Sequence, residues 1–238
     1  MQAAIDGKPF VQQYPIDADE PLFKKEISAT DLWKKIVHNA WKSAEPGVLF
    51  WDTILRESVP DCYADLGYRT VSTNPCGEIP LCPYDSCRLL AINLYSYVVN
   101  PFKPDAYFDF DLFKKHVALA QRIMDDIIDL ELEKIERIMA KIDSDPENED
   151  VKHTESVLWQ KIYKKSGQGR RTGVGITAEG DMLAALGLRY GTEEATEFAE
   201  KVHQTVALSA YRSSVEMAKE RGAFEVYDSE REKNNPFI

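Results

Sequence analysis

The chain has 238 residues, 44% of them hydrophobic and 29% charged, a balance that fits a folded globular chain and excludes a disordered one. Its formal charge of −11 excludes a protein whose main task is to grip a nucleic-acid backbone, because that requires an excess of Lys and Arg; a single nucleotide needs only a local cluster. No window approaches the length of an apolar membrane span, and the opening MQAAIDGKPFVQQYPIDADEP has neither a basic leader nor an apolar run of signal-peptide length. Neither a membrane nor nucleic acid is therefore expected as a partner, and the cytoplasm is the expected location.

In chain order, residues up to about Glu26 read as irregular, with room for one short strand. From Ser28 onward Leu32, Trp33, Ile36, Val37, Ala40 and Trp41 recur at helical spacing, with Ser28 as the N-cap, Asp31 three residues on and Pro46-Gly47 as the stop. GVLFWDTI, from Gly47 to Ile54, reads as a short buried strand or turn. YRTVST, from Tyr68, favours a strand, and so does CRLLAINLYSYVV from Cys87 to Val99, so the loop between them is expected to be held by two extended segments.

Beyond Pro104, Phe110, Phe113, Val117, Ala120, Met124, Ile127, Ile128, Leu132, Ile135, Met139 and Ile142 repeat at steps of three and four and predict a long amphipathic helix, stopped by DSDPENED. A second helix is expected through Val157 to Tyr163. KKSGQGRR reads as a basic, solvated, glycine-broken loop, and TGVGIT as a short apolar strand in which Gly173 and Gly175 are close-packing positions. Two more helices are predicted, from about Ala178 to Leu186 with Gly187 as its cap, and from Glu193 to Arg221 with Gly222 as its stop. Strands alternating with helices indicate an α/β architecture suited to a barrel or an open sheet, with no linker dividing it.

The cysteines lie at 62, 76, 82 and 87, three of them within a dozen positions. In a reducing compartment a disulfide framework is not the expectation, which leaves metal, core and catalytic readings. The spacing contains no C-x-x-C pair, and His38, His116, His153 and His203 are all remote in sequence, so no metal site is assigned. Cys62 and Cys82 suit small buried positions of a core.

For the rest, the surrounding residues carry more than the thiols. STNPCGEIPL resembles the active-site loop of ribonucleotide reductase catalytic subunits, and PYDSCRLLAINL resembles the strand that follows it. AWKSAEPGVLFWD and GRRTGVGITAEGDMLAALGLRYGTEEA are similar to family segments before and after the loop, so the resemblance covers most of the chain. Asn-Pro-Cys-Gly-Glu and the short interval from Cys76 to Cys87 look most like the adenosylcobalamin-dependent class. An oxygen-dependent class I large subunit is the alternative, and a non-catalytic remnant or assembly module of the same fold is another.

The resemblance implies a fold, a chemistry and a set of partners. The fold is part of a ten-stranded α/β barrel with an active-site finger loop, residues 1–238 being a central or second-half portion that lacks amino-terminal and carboxy-terminal parts. Cys76 matches the thiyl-radical cysteine, Glu78 the general base, Asn74 the amide that holds the sugar hydroxyls and Cys87 one member of the reducing pair. Adenosylcobalamin is the implied cofactor and a ribonucleotide, as the diphosphate, the implied substrate. An external thiol reductant such as thioredoxin and reductase segments on other chains are the implied partners, because the second reducing cysteine and the phosphate-holding loop have no match here. Cys62 does not match the missing cysteine. Alternation along an extended tip would point residues 74, 76 and 78 the same way, with Pro75 and Gly77 able to distort this.

Overall fold

The computed structural model describes residues 1–233 and 235, and within it the chain divides into two compact units, Met1–Asp52 and Thr53–Ile238. The first unit holds α1 (Gln2–Ile5), β1 (Pro9–Tyr14), β2 (Phe23–Ser28) and α2 (Ala29–Ser43). β1 and β2 form an antiparallel hairpin from Pro9↔Ser28 to Tyr14↔Phe23, where irregular chain with room for one short strand was expected. FVQQY and FKKEIS are weak strands individually; pairing with each other supplies the hydrogen bonds that local propensity does not register. α2 begins as expected, with the Ser28 hydroxyl accepting from the Asp31 N–H at 3.2 Å. It ends one turn before Pro46, on Ala44 in the left-handed conformation (φ 58°), whose N–H returns to the Ala40 carbonyl.

The apolar run at Gly47–Ile54 is not a strand. Residues 47–50 have no regular structure, and α3 (Trp51–Glu57) starts within the run, with Asp52 in its first turn and Arg56 in its last. A short apolar stretch carries no periodicity to separate the two outcomes, and here the charges complementing a helix dipole coincide with the helix.

The second unit continues with a kinked 3-10 segment, Val59–Leu66, and then β3 (Ser72–Thr73), β4 (Pro80–Leu81), β5 (Leu89–Asn93), β6 (Val98–Val99) and β7 (Tyr107–Phe108). After these come α4 (Phe110–Ser144), α5 (Glu149–Gly169), β8 (Gly173–Thr177), α6 (Glu179–Ala185), α7 (Glu193–Arg221) and α8 (Ser229–Glu232). Asp109 caps α4 by accepting from the Leu112 N–H at 2.9 Å. The buried face of α4 is Phe113, Val117, Ala120, Met124, Ile128, Ile135 and Ile142, every one of them on the predicted stripe. α5 and α7 both pack along this helix. α5 is longer than expected at both ends and absorbs the KKSGQG stretch assigned to a loop.

The main core joins Ile92, Leu94, Tyr97, Phe108 and Phe113 to Met182, Leu183, Ala195 and Val202. Edge-on contacts of Phe113 with Tyr97 and Phe108, and of Phe108 with Phe198, fix the aromatic side of this core. β5 and β8 run parallel in register from Leu89↔Gly173 to Asn93↔Thr177, the crossover between them passing through α4 and α5. The mixed α/β character expected from the sequence is present. Among the described residues, however, the strands form four separate pairs, one parallel and three antiparallel, and no closed ten-stranded barrel. Nor is any of the described helices long and apolar enough to cross a membrane.

Candidate active site

The segment that carries Asn74, Cys76 and Glu78 is a hairpin. β3 and β4 are antiparallel through Ser72↔Leu81 and Thr73↔Pro80, and the Val71 N–H donates to the Leu81 carbonyl at 2.9 Å. Asn-Pro-Cys-Gly closes the end, with the Gly77 N–H donating to the Asn74 carbonyl at 3.0 Å. Cys76 is not among the positive-φ residues, which excludes a type II turn, and Gly77 takes φ 84° just after it. Asn first, Pro second and Gly fourth is the composition that a type I turn favours, so the local chemistry of these four residues builds the tip.

The tip does not point its three functional candidates one way. Asn74 turns inward and is 7% exposed, its Oδ1 accepting from the Ile79 N–H at 2.9 Å, while Cys76 and Glu78 stand exposed. The alternation expected for an extended tip is thereby corrected: a tight turn replaces it, and the Asn74 carbonyl oxygen atoms are spent on closing the hairpin. What Asn74 retains for a ligand is its amide NH2. Cys76 and Glu78 have no hydrogen bond or ion pair from the described residues, so a free thiol and a free carboxylate lie two residues apart at the tip.

Cys87, also exposed, precedes a buried electrostatic network. Its neighbour Arg88 is 6% exposed and forms a two-pronged pair with Glu131 of α4: Nε pairs with one carboxylate oxygen, and Nη2 donates to the other at 2.9 Å. Arg88 Nη2 also donates to Ser166 Oγ at 2.8 Å, and Nη1 to the Arg171 carbonyl at 3.0 Å. Beside it, a Cβ on Gly173 would lie 2.6 Å from the Arg88 carbonyl, which bears out the close-packing reading of that glycine. Cys87 is thus exposed on backbone held by β5, α4, α5 and the start of β8.

The other two cysteines belong to a small core with Tyr63 and Tyr68, Cys82 buried within it and Cys62 packed against it. Burial pushes both thiols up from the ordinary cysteine value, with Glu232 adding to the effect at Cys62 and Asp85 at Cys82. Burial likewise pushes Tyr68 up to about 12. A thiol reagent at mildly alkaline pH is expected to label Cys76 and Cys87 first, and Cys82 only after denaturant is added. Mass spectrometry of peptides from timed samples reads this directly; labelling of native Cys82 as fast as Cys76 would contradict the burial.

The basic run is not a solvated loop. Lys165 donates to the Gly67 carbonyl at 2.8 Å and lies over the Tyr68 ring at 3.9 Å, and Arg170 pairs with Asp125 and Asp129 at 2.7 and 2.8 Å. Arg171 pairs with Asp85 and donates to the Pro80 carbonyl at 2.7 Å. The residues that sequence reasoning missed are therefore Arg88, Glu131, Ser166, Arg171 and Asp85. Their only signal in the sequence was an Arg pair before an apolar strand, which charge patterning by itself assigns to solvent.

A mixed α/β chain that presents an unpaired thiol and carboxylate on a turn, and a second exposed thiol at the head of a parallel strand, has the groups of a thiol-dependent enzyme site. The chain belongs to the family described as "Ribonucleotide reductase, barrel domain", whose profile matches residues 2–237. It is 36% identical over 210 residues to a vitamin B12-dependent ribonucleoside-diphosphate reductase of Thermoplasma acidophilum, covering 88% of this chain and 23% of that protein. It is 31% identical over 206 residues to a reductase of the same name from Mycobacterium tuberculosis, covering 86% and 25% respectively. A ribonucleoside-diphosphate reductase subunit alpha of Chlamydia pneumoniae is 26% identical over 220 residues, 91% of this chain and 18% of that one. The chain thus spans about a quarter or less of the length of these relatives.

Proposed function

We propose that this chain carries the radical hairpin and one reducing thiol of an adenosylcobalamin-dependent ribonucleotide reductase, as a portion of its catalytic barrel. The observation that carries the proposal is the tip of the hairpin, where Cys76 and Glu78 are exposed and unpaired while Asn74 holds the turn closed. The names of the Thermoplasma and Mycobacterium relatives support cobalamin over the oxygen-dependent alternative. The same names support a ribonucleoside diphosphate as substrate.

The residues fit the reaction at specific atoms. Cys76, as a thiyl radical, removes the hydrogen atom from the ribose 3' carbon, and the S–H bond it forms is weak enough for that atom to be returned at the end. Glu78 takes the 3'-hydroxyl proton, and the 2'-hydroxyl, protonated by one of the two reducing thiols, leaves as water. The Asn74 NH2 donates to a sugar hydroxyl and orients the ring. Two thiols then give up two electrons and two protons and become a disulfide, so that ribonucleotide plus dithiol yields deoxyribonucleotide, disulfide and water. Cys87 is one of these thiols. Cys82 is enclosed in the small core and Cys62 is packed against it, so neither is assigned as the second thiol; that thiol and the grip on the substrate phosphates are assigned to the other reductase segments that the resemblance implies.

Adenosylcobalamin, when bound, supplies the radical that is transferred to a cysteine. The tip suits that role at one atom, Cys76 Sγ. Pro75, Cys76 and Glu78 are all exposed, so this stretch offers the reacting thiol and not a cradle for the cofactor. The test is ribonucleoside-diphosphate reduction by the chain assembled with its complementary reductase segments, with a dithiol reductant and with or without adenosylcobalamin. Activity that depends on the cofactor and falls about 10²–10⁴-fold in Glu78→Gln is the expected outcome. Full activity in Glu78→Gln, or without cobalamin, would refute the corresponding part.

A further inference from the structure

We propose that Arg171 is a positioning residue that ties the hairpin bearing Cys76 to the segment bearing Cys87, an inference that rests on the roles just given to those two thiols. Arg171 precedes β8 and touches the chain at two points between the two cysteines and at a third just beyond Cys87. Its Nη2 donates to the carbonyl of Pro80 in β4 at 2.7 Å, its Nη1 pairs with the carboxylate of Asp85, and its own carbonyl accepts from Nη1 of Arg88 at 3.0 Å. Asp85 is committed on both oxygens, accepting from the Ser86 N–H at 2.9 Å on Oδ1 and from the Cys82 thiol at 3.6 Å on the oxygen that meets Arg171.

The hairpin needs such an anchor. Its ladder has only two residue pairs, one of which contains Pro80, a residue without an N–H to donate. A ribbon this short does not hold an orientation unaided. The anchor is also shielded from water, with side-chain exposures of 18% for Arg171 and 5% for Asp85, so it is much less screened than a surface pair. Arginine is the residue this geometry requires. Its planar fork reaches a carboxylate and a carbonyl at once, whereas the ammonium of lysine is a point charge on a flexible stem. Hydrogen-atom transfer at Cys76 and electron delivery from Cys87 serve one sugar, so the separation of the two segments must be held within a fraction of an ångström. A misplacement of 1 Å costs a reaction of this kind about 10²-fold.

The test uses Arg171→Met, Arg171→Lys, Asp85→Asn and the double variant Arg171→Met/Asp85→Asn. Amide hydrogen exchange at Asn74 and Ile79 is measured on the chain alone, and kcat and KM for the ribonucleoside diphosphate in the assembled enzyme. In Arg171→Met we expect faster exchange at both amides and kcat lower by about 10²-fold with KM unchanged. Arg171→Lys should recover only part of kcat, and the double variant should be no worse than Arg171→Met, because both changes break the same tie. Unchanged exchange in Arg171→Met, or full kcat in Arg171→Lys, would overturn the proposal. If Arg171→Met does not fold, Asp85→Asn keeps the shape of the site, weakens one arm of the tie and is read in the same two ways. If the unaltered assembly reduces no nucleotide, the functional reading has failed while the exchange measurement still decides whether Arg171 holds the hairpin.

Discussion

Replacing Cys76 by serine is expected to abolish nucleotide reduction in the assembled enzyme while leaving the fold and nucleotide binding intact. Serine matches cysteine closely in size, and the tip is exposed, so no packing is lost. The turn should survive, since its bonds run from the Gly77 N–H to the Asn74 carbonyl and from the Ile79 N–H to Asn74 Oδ1, neither involving the side chain at 76. What serine lacks is a weak bond to hydrogen: in the mechanism proposed above its O–H cannot be turned into a radical by the same donor, and the 3' hydrogen would not be removed. Equilibrium binding of a ribonucleoside diphosphate and the rate of product formation, measured side by side, separate this from a general loss of structure. Cys62→Ser is the matched control and should keep its activity. Product formation by Cys76→Ser above background would remove Cys76 from the chemistry.

Arg88→Met is expected to destabilise the Thr53–Ile238 unit by about 3 kcal/mol, the lower end of the range for breaking a buried ion pair from one side. The lower end applies because Glu131 keeps 23% side-chain exposure and can regain some water, whereas Arg88 has 4%. The loss would be larger than one contact suggests. Arg88 is the donor for Glu131, for Ser166 Oγ and for the Arg171 carbonyl, and methionine leaves all three acceptors without it. A fall in the urea midpoint at constant slope is the measurement. Arg88→Met/Glu131→Leu should recover part of the loss, since removing both charges removes the unpaired carboxylate. No recovery in the double variant would mean that the cost is one of packing and not of charge.

Both results depend on how far local sequence reaches. The cap of α2 at Ser28 and the stripe from Phe113 to Ile142 on α4 were legible because caps and helical periodicity are set by residues within a few positions of one another. Pro75 and Gly77 were legible as residues able to distort an extended tip, though the tight turn itself was not, and the resemblance in residues 72–94 identified the family that the profile matches over residues 2–237. The β1–β2 hairpin was missed because each strand depends on the other, and α3 was missed because a short apolar run does not declare its period.

By itself, then, the sequence determined the long helices and the family, since each is written in neighbouring residues or in an ordered set of motifs. Tertiary structure alone decided that Asn74 turns inward, that Cys82 is enclosed while Cys76 and Cys87 are open, and that Arg171 meets Asp85 across 86 positions of chain. The physical reason is that burial and ion pairing are properties of surfaces brought together by the fold. Two arginines that read as solvated in the chain are drawn out of water because carboxylates of α4 and of the segment beyond the hairpin are already waiting for them there.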